Sequence, residues 1–198
     1  MARIREAEAA PNILGMLLVV GSAGGYPAAS QSISTAINKS PLWSMAYVRD
    51  QALSGGYLIA SAADTITASP FADIGSIGIT MSYLDQTRMN EKEGYTYVNL
   101  SSGAYKDAGS PDKELTAAER ALFERDIEAA HEAFVDLVAA NREMSREEVA
   151  TLADGSSMNA KLALEKGLID QIATDDVWQE NWFAEMFQLP AEEVVLCE

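Results

Sequence analysis

Ser54, in the run Leu53-Ser54-Gly55-Gly56-Tyr57, has the setting a nucleophilic serine needs. An apolar, strand-like run, Leu42 to Val48, precedes it, and a short apolar helical stretch, Tyr57 to Ala62, follows. Its hydroxyl would stand at a helix N-terminus, beside glycines that let another backbone come close. A nucleophilic serine also needs a base. The single histidine, His131, lies far off in a charged helical segment, so imidazole is not the expected base and a lysine is the other candidate near neutral pH. A second glycine pair, Gly24-Gly25, follows another apolar run. Two such turns on adjacent parallel strands can supply the pair of backbone N–H donors that a developing oxyanion requires. Glycine after a strand is also ordinary turn chemistry, so the turns alone leave both readings open.

Other chemistries fit poorly. Gly21-x-x-Gly24-Gly25 does not match the G-x-G-x-x-G dinucleotide pattern. His131-Glu132 lacks the second histidine of H-E-x-x-H, so no metal site is expected. His131 flanks an apolar stripe near Glu128 and Glu132 and reads as a helix-surface histidine. No cofactor is called for.

The elements that must position these residues alternate in the first half. Met16 to Val20 is an unbroken apolar run and reads as a strand buried on both faces. Pro27 opens a helix to about Asn38, proline being suited to the first helical turn. Thr65 to Ala68, Ile77 to Met81 and Tyr95 to Leu100 are further expected strands, with a turn-rich loop at Pro70 to Ser76. A helix from about Leu84 to Glu93 ends at Gly94, and Ser101 to Lys113 is a loop. This alternation implies βαβ units and a parallel sheet.

The second half is helical. Thr116 and Glu119 form a capping-box pattern ahead of a long helix with the stripe Phe123, Ile127, Ala130, Phe134 and Leu137. Ser145 with Glu148 caps Arg146 to Leu152, and Ala160 to Lys166 is a third helix. Leu168 to Ile172 is a small strand. A last amphipathic helix, about Asp175 to Phe187, presents Trp178, Trp182, Phe183 and Phe187 for packing or for a subunit contact. Ile4 to Ala10 looks like the tail of a helix, so the chain is expected to begin inside a domain.

The 198 residues suffice for one sizeable core, and 48% apolar with 22% charged residues is ordinary for a globular protein. A formal net charge of −16 is not ordinary. It argues against nucleic-acid binding, which needs clustered Lys and Arg, and reads as a solvated acidic surface. Cys197 is the only cysteine, so no internal disulfide is possible. No apolar run approaches the ~18 residues that span a bilayer, and Met1 to Ala10 lacks the apolar stretch of a signal peptide. The chain as given is expected to be soluble.

Several motifs in register carry a resemblance. They are Ser54-Gly55-Gly56-Tyr57-Leu58-Ile59-Ala60-Ser61-Ala62-Ala63-Asp64, Gly75-Ser76-Ile77-Gly78, Gly103-Ala104-Tyr105-Lys106-Asp107-Ala108-Gly109-Ser110-Pro111, Ala153-Asp154-Gly155 and Gly167-Leu168-Ile169-Asp170. Together they resemble the signal peptide peptidase A family of serine–lysine peptidases over roughly residues 4 to 173, with phage-type peptidases of the same superfamily a more distant match. The resemblance implies an α/β fold of the Clp protease/crotonase type, with repeated βαβ units, a helical C-terminal part and N-terminal strands missing. The domain expectation is residues 1–174 for the peptidase domain and 175–198 for a C-terminal helix and tail.

The resemblance further implies that Ser54 is the nucleophile, Lys106 the general base and Ser76 the hydroxyl that holds the lysine, with oxyanion amides from Gly24 and Gly55. The plain alternatives are an ordinary loop lysine and a turn serine. A free lysine is neutral in only about one molecule in 2,500 at pH 7, and lowering such a group to ~7.5 takes about 4 kcal/mol of ammonium destabilisation. A pH–rate limb near 10 would indicate the ordinary lysine. Implied partners are apolar peptide substrates, such as cleaved signal peptides, and further copies of the chain in a ring. A membrane enters only through a missing N-terminal anchor of a bacterial or archaeal parent. The rivals are a crotonase-like acyl-CoA enzyme and a non-catalytic subunit of the same fold. Two departures stand out: Gly21-Ser22-Ala23-Gly24-Gly25 where the family usually has Asp-Ser-Pro-Gly-Gly, and Ser157-Met158-Asn159 where it has aromatic-Thr-Gly.

Overall fold

The structure is a computed structural model and describes residues 2–173 and 178–196. In chain order its elements begin with helix α1 (Ala2–Ala9), strand β1 (Gly15–Ser22), helix α2 (Pro27–Asn38), strand β2 (Trp43–Leu53), helix α3 (Gly55–Ala60), and strands β3 (Thr65–Ala68) and β4 (Asp73–Gly75). Then come helices α4 (Thr87–Glu93), α5 (Ala117–Asn141) and α6 (Arg146–Leu152), strand β5 (Ser157–Asn159), helix α7 (Ala160–Glu165), strand β6 (Gln171–Ile172) and helix α8 (Trp178–Phe187). The chain forms two compact units, residues 1–78 with 134–198, and residues 79–133.

The first unit is built on β2. This strand runs longer than the expected Leu42 to Val48 and reaches Leu53, directly before Ser54. β1 lies parallel along one side, from Gly15↔Trp43 to Val20↔Val48. The other side is shared: β3 pairs with Met45 to Val48, and β4 with Gln51 to Leu53, both parallel. Met45, Ala46, Val48 and Ala52 are completely buried, as expected of a strand with neighbours on both edges. Helix α3 packs against it and is itself almost wholly buried, from Gly55 to Leu58 and again at Ala60.

β4 falls inside the segment read as a turn-rich loop, and the strand expected at Ile77 to Met81 does not form. The physical reason is length. Three residues are too few for a periodic pattern, and Asp73–Gly75 is a strand only because Leu53 and its neighbours stand beside it. β5 was not anticipated either; it pairs antiparallel with β4, so the sheet is mixed rather than all parallel. The expected strand at Tyr95 to Leu100 has no ladder partner.

Polar motifs brace the unit. Asp64 accepts the Ser44 N–H and hydroxyl at 2.8 and 2.7 Å, fixing the start of β2 to the turn directly before β3. Asp170 accepts the Ile66 N–H at 2.7 Å, and Arg142 at the end of α5 forks onto Asp170 and the Gly167 carbonyl. Tyr57 is fully buried and donates to the Leu168 carbonyl at 2.8 Å, burial holding its phenol above its usual range. Trp182, Phe183 and Phe187 of α8 pack toward β1 and Trp43, with Trp43 and Trp182 ring centres 5.2 Å apart. The domain boundary expected at 174/175, the helix start at Asp175 and Cys197 lie outside the described residues.

In the second unit, α5 begins at the expected capping box: Thr116 Oγ1 accepts the Glu119 N–H, and Glu119 accepts the Thr116 N–H. Lys113 adds an ion pair to Glu119 and another to Asp107. The helix continues past Ala133 into the first unit, where Phe134, Val135 and Val138 are buried.

Candidate active site

Ser54 occupies the one-residue turn between β2 and α3, at φ 52°, ψ −124°. A residue with a Cβ is rarely found there, and such a conformation persists only where its surroundings impose it. Here they do. The Ser54 N–H donates to the Gly75 carbonyl at 2.8 Å, extending the β2–β4 ladder by one rung, and its own carbonyl accepts the Leu58 N–H at 3.0 Å, starting α3. The side chain makes no capping bond to the helix it precedes. Strand and helix thus fix the serine from both sides and leave its hydroxyl for other work.

The two glycine turns meet at this serine. Gly24, at φ +110°, lies so close that a Cβ there would stand 2.8 Å from Ser54 Cβ and 3.3 Å from the Gly55 nitrogen. A Cβ at Gly55 would overlap Ser30 Oγ, and one at Gly56 would come within 2.9 Å of Ser22. The β1 and β2 turns can therefore pack backbone to backbone only with glycine at these positions. Gly55 is the first residue of α3, so its N–H has no intrahelical acceptor. The Gly24 N–H donates to Ser22 Oγ at 3.2 Å.

Ser22 and Ser30 were not singled out by sequence. Ser22 makes a local serine turn two residues before Gly24, restraining a loop that has Ala23 in place of proline. Its place in the glycine-rich run was the available signal; Ser30, which only packs against Gly55, offered none.

Ser76 is the next residue along from the carbonyl that holds Ser54. It also has a left-handed backbone, φ 50°. Its N–H donates to the Ser156 carbonyl at 2.8 Å and its Oγ to the Gly155 carbonyl at 3.1 Å. The 154–156 loop is shaped by Asp154, which accepts from the Ser156 N–H and hydroxyl at 2.8 and 2.6 Å. Those bonds hold its carboxyl below the usual range. The motif Ala153-Asp154-Gly155 thus supports Ser76.

The structure brings Gly24, Ser54, Gly55 and Ser76 together in the first unit. Lys106 is in the other unit, exposed, in a turn where its N–H donates to the Gly103 carbonyl at 3.2 Å. Lys113, nearby in sequence, is a different kind of lysine. Its ammonium lies between Glu119 and Asp107, and the bond to Glu119 raises its pKa, which unfits it as a base. His131 sits on α5 in the second unit.

A strained serine on a strand-to-helix turn, with glycine amides against it, is an arrangement that can serve acyl transfer. Comparison with known proteins gives the family. The family model for Peptidase family S49 matches residues 20–182, and the chain belongs to that family. Its fold is accordingly of the Clp protease/crotonase type. Among relatives, a candidate signal peptide peptidase SppA of Enterococcus faecium is 35% identical over 175 residues, 87% of this chain and 50% of that protein. A candidate protease, MJ0651, of Methanocaldococcus jannaschii is 31% identical over 169 residues, 83% of this chain and 54% of the relative. The chloroplastic serine protease SPPA of Arabidopsis thaliana is 29% identical over 175 residues, 86% of this chain and 26% of its own. The chain therefore spans about half the length of the first two and about a quarter of the third. No helix among the described residues is long and apolar enough to cross a membrane.

Proposed function

We propose that this chain is the catalytic region of a serine endopeptidase that uses a Ser54–Lys106 dyad on apolar peptides held extended, and that it works as a homo-oligomer. The observation that carries the reading is the enforced backbone of Ser54, with its hydroxyl unspent on capping and Gly24 and Gly55 packed against it. The names of the relatives, a serine protease and a signal peptide peptidase among them, support the same reading.

In the first step Ser54 Oγ bonds to the scissile carbonyl carbon while its proton passes to the neutral Nζ of Lys106. The carbonyl oxygen becomes an oxyanion that takes the Gly24 and Gly55 N–H donors, the Gly24 amide exchanging Ser22 Oγ for it. Collapse breaks the C–N bond, and the lysine returns the proton to the leaving amine. Water then cleaves the acyl-enzyme by the same route, with the lysine as base. Ser76 Oγ orients the amine without adding charge.

A serine-directed fluorophosphonate probe tests this. Labelling at Ser54 that disappears in both Ser54→Ala and Lys106→Ala is the expected result. An assembled, folded protein that resists the probe overturns the proposal.

A further inference from the structure

Both glycine turns run straight into helices. Gly24 and Gly25 lead through Tyr26 into α2, and Ser54 leads into α3. The two amides proposed for the oxyanion therefore belong to different turns, and their spacing depends on how α2 and α3 are held against each other. Such donors act at about 2.7–3.1 Å from the oxyanion. A misplacement of about 1 Å, even from a change remote from the chemistry, can cost on the order of 100-fold in rate.

The two helices pack together, and hydroxyls are buried along them. Ser30, Ser34 and Asn38 recur every four residues on α2 and so share one face. Ser30 packs on Gly55, beside the nucleophile. Ser34 is 2% exposed, and Ser61, which closes α3, is wholly buried. Buried hydroxyls require partners.

A single side-chain amide gathers these groups. Asn141, the last residue of α5, donates through Nδ2 to Ser61 Oγ at 2.9 Å and to Ser34 Oγ at 3.3 Å. Its Oδ1 accepts from Asn38 Nδ2 at 2.8 Å. Both amide hydrogens are thus spent, one on each helix. Ser61 Oγ itself donates to the Leu58 carbonyl at 3.0 Å, so what it offers Asn141 is a lone pair, and a donor must face it. Arg142, the next residue, forks onto Asp170 and the Gly167 carbonyl, and Asp170 also holds the Ile66 N–H of β3. The amide is therefore mounted on the sheet, and α2 and α3 are both tied to that fixed point. All these residues belong to the first unit.

We infer, on the proposed acyl-transfer role of Ser54, that Asn141 is a positioning residue for the oxyanion hole. By joining Ser34 to Ser61 it fixes α2 against α3, and so sets the Gly24 amide against the Gly55 amide. It acts through the helices rather than on the substrate. Ser34 lies about 6 Å along α2 from Ser30, and Ser61 about 9 Å along α3 from Gly55. Its loss leaves the serine and both glycines in the chain but frees the two turns to drift apart. That penalty falls on the transition state, where the amides are used, and not on peptide binding.

The test measures kcat and KM for a fluorogenic apolar peptide, with fluorophosphonate labelling rates, in wild type, Asn141→Ala, Ser61→Ala and the double variant. Phe183→Leu is the control, because it trims a buried side chain against Gly15, at the end of β1 remote from Ser54. Each single clamp variant is expected to lower kcat and the labelling rate at least tenfold with KM within twofold. The double variant should lose no more than the singles, since one bridge is removed in every case. Phe183→Leu should lower the melting temperature and keep kcat. Wild-type kcat in folded Asn141→Ala overturns the inference, as does a loss confined to KM or losses that multiply in the double variant. An equal kcat loss in Phe183→Leu also overturns it, marking Asn141 as a residue of general stability. If Asn141→Ala does not fold, Ser34→Ala removes the α2 arm alone; kcat is then expected to fall at least threefold, and an unchanged kcat overturns the inference. A wild type that neither cleaves nor labels overturns the peptidase reading, and the role of Asn141 with it.

Discussion

At the scale of the residue, Ser54 shows a conformation kept against its own preference. Its left-handed backbone stores on the order of 1–3 kcal/mol, which the ladder bond to Gly75 and the first turn of α3 hold in place. Glycine would occupy the same turn without that strain, so Ser54→Gly is expected to raise stability by about 1 kcal/mol while abolishing probe labelling. Chemical denaturation with labelling checks both halves. Gly24→Ala works in the opposite direction. Its Cβ would fall 2.8 Å from Ser54 Cβ at a φ of +110°, and a loss of about 2 kcal/mol together with loss of labelling is expected. A Gly24→Ala protein that keeps wild-type labelling would show that the two turns have room to spare.

At the scale of the element, two braces bear on different parts of the fold. Arg142 has a side chain only 8% exposed and shares Asp170 with the Ile66 N–H. Asp170→Ala would leave the guanidinium and the β3 amide without that acceptor, for a loss of about 2–4 kcal/mol read by denaturant midpoint. The other brace is the start of α5. Lys113 first, then the Thr116 N–H, hold the Glu119 carboxyl at about 2, against an ordinary value of 4.5. Because the folded value is the lower, this contribution is present above about pH 4.5 and disappears as pH falls toward 2. Glu119→Gln should therefore melt below wild type at pH 7, with the gap closing across that window. A gap that stays constant down to pH 2 would contradict the assignment.

At the scale of the whole molecule, the charge of −16 opposes the proposed association of copies. Like charges weaken association at low salt, and screening removes that penalty, since the Debye length falls from about 30 Å at 0.01 M to about 3 Å at 1 M. Self-association is thus expected to strengthen as salt rises, measured by sedimentation between 0.02 and 0.5 M sodium chloride. An interface held by ion pairs would respond with the opposite sign.

Much of this was legible in the chain itself. The apolar run before Ser54, the proline opening α2, both capping boxes and the glycine pairs are local signals, each decided by a few neighbouring residues, and the elements form where those signals stand. The sequence by itself determined where a nucleophilic serine could sit and that no histidine was close by in the chain to serve it. Tertiary structure alone decided the rest, because the rest depends on partners distant in sequence. β4 and β5 are strands only beside one another and β2, Ser54 takes its left-handed turn only because Gly75 and α3 require it, and Ser22 meets Gly56 only where two strands end side by side. Tyr95 to Leu100 gives the converse: a strand pattern complete in sequence that stays unpaired in a single chain, since a ladder needs a second strand and the pattern supplies only one.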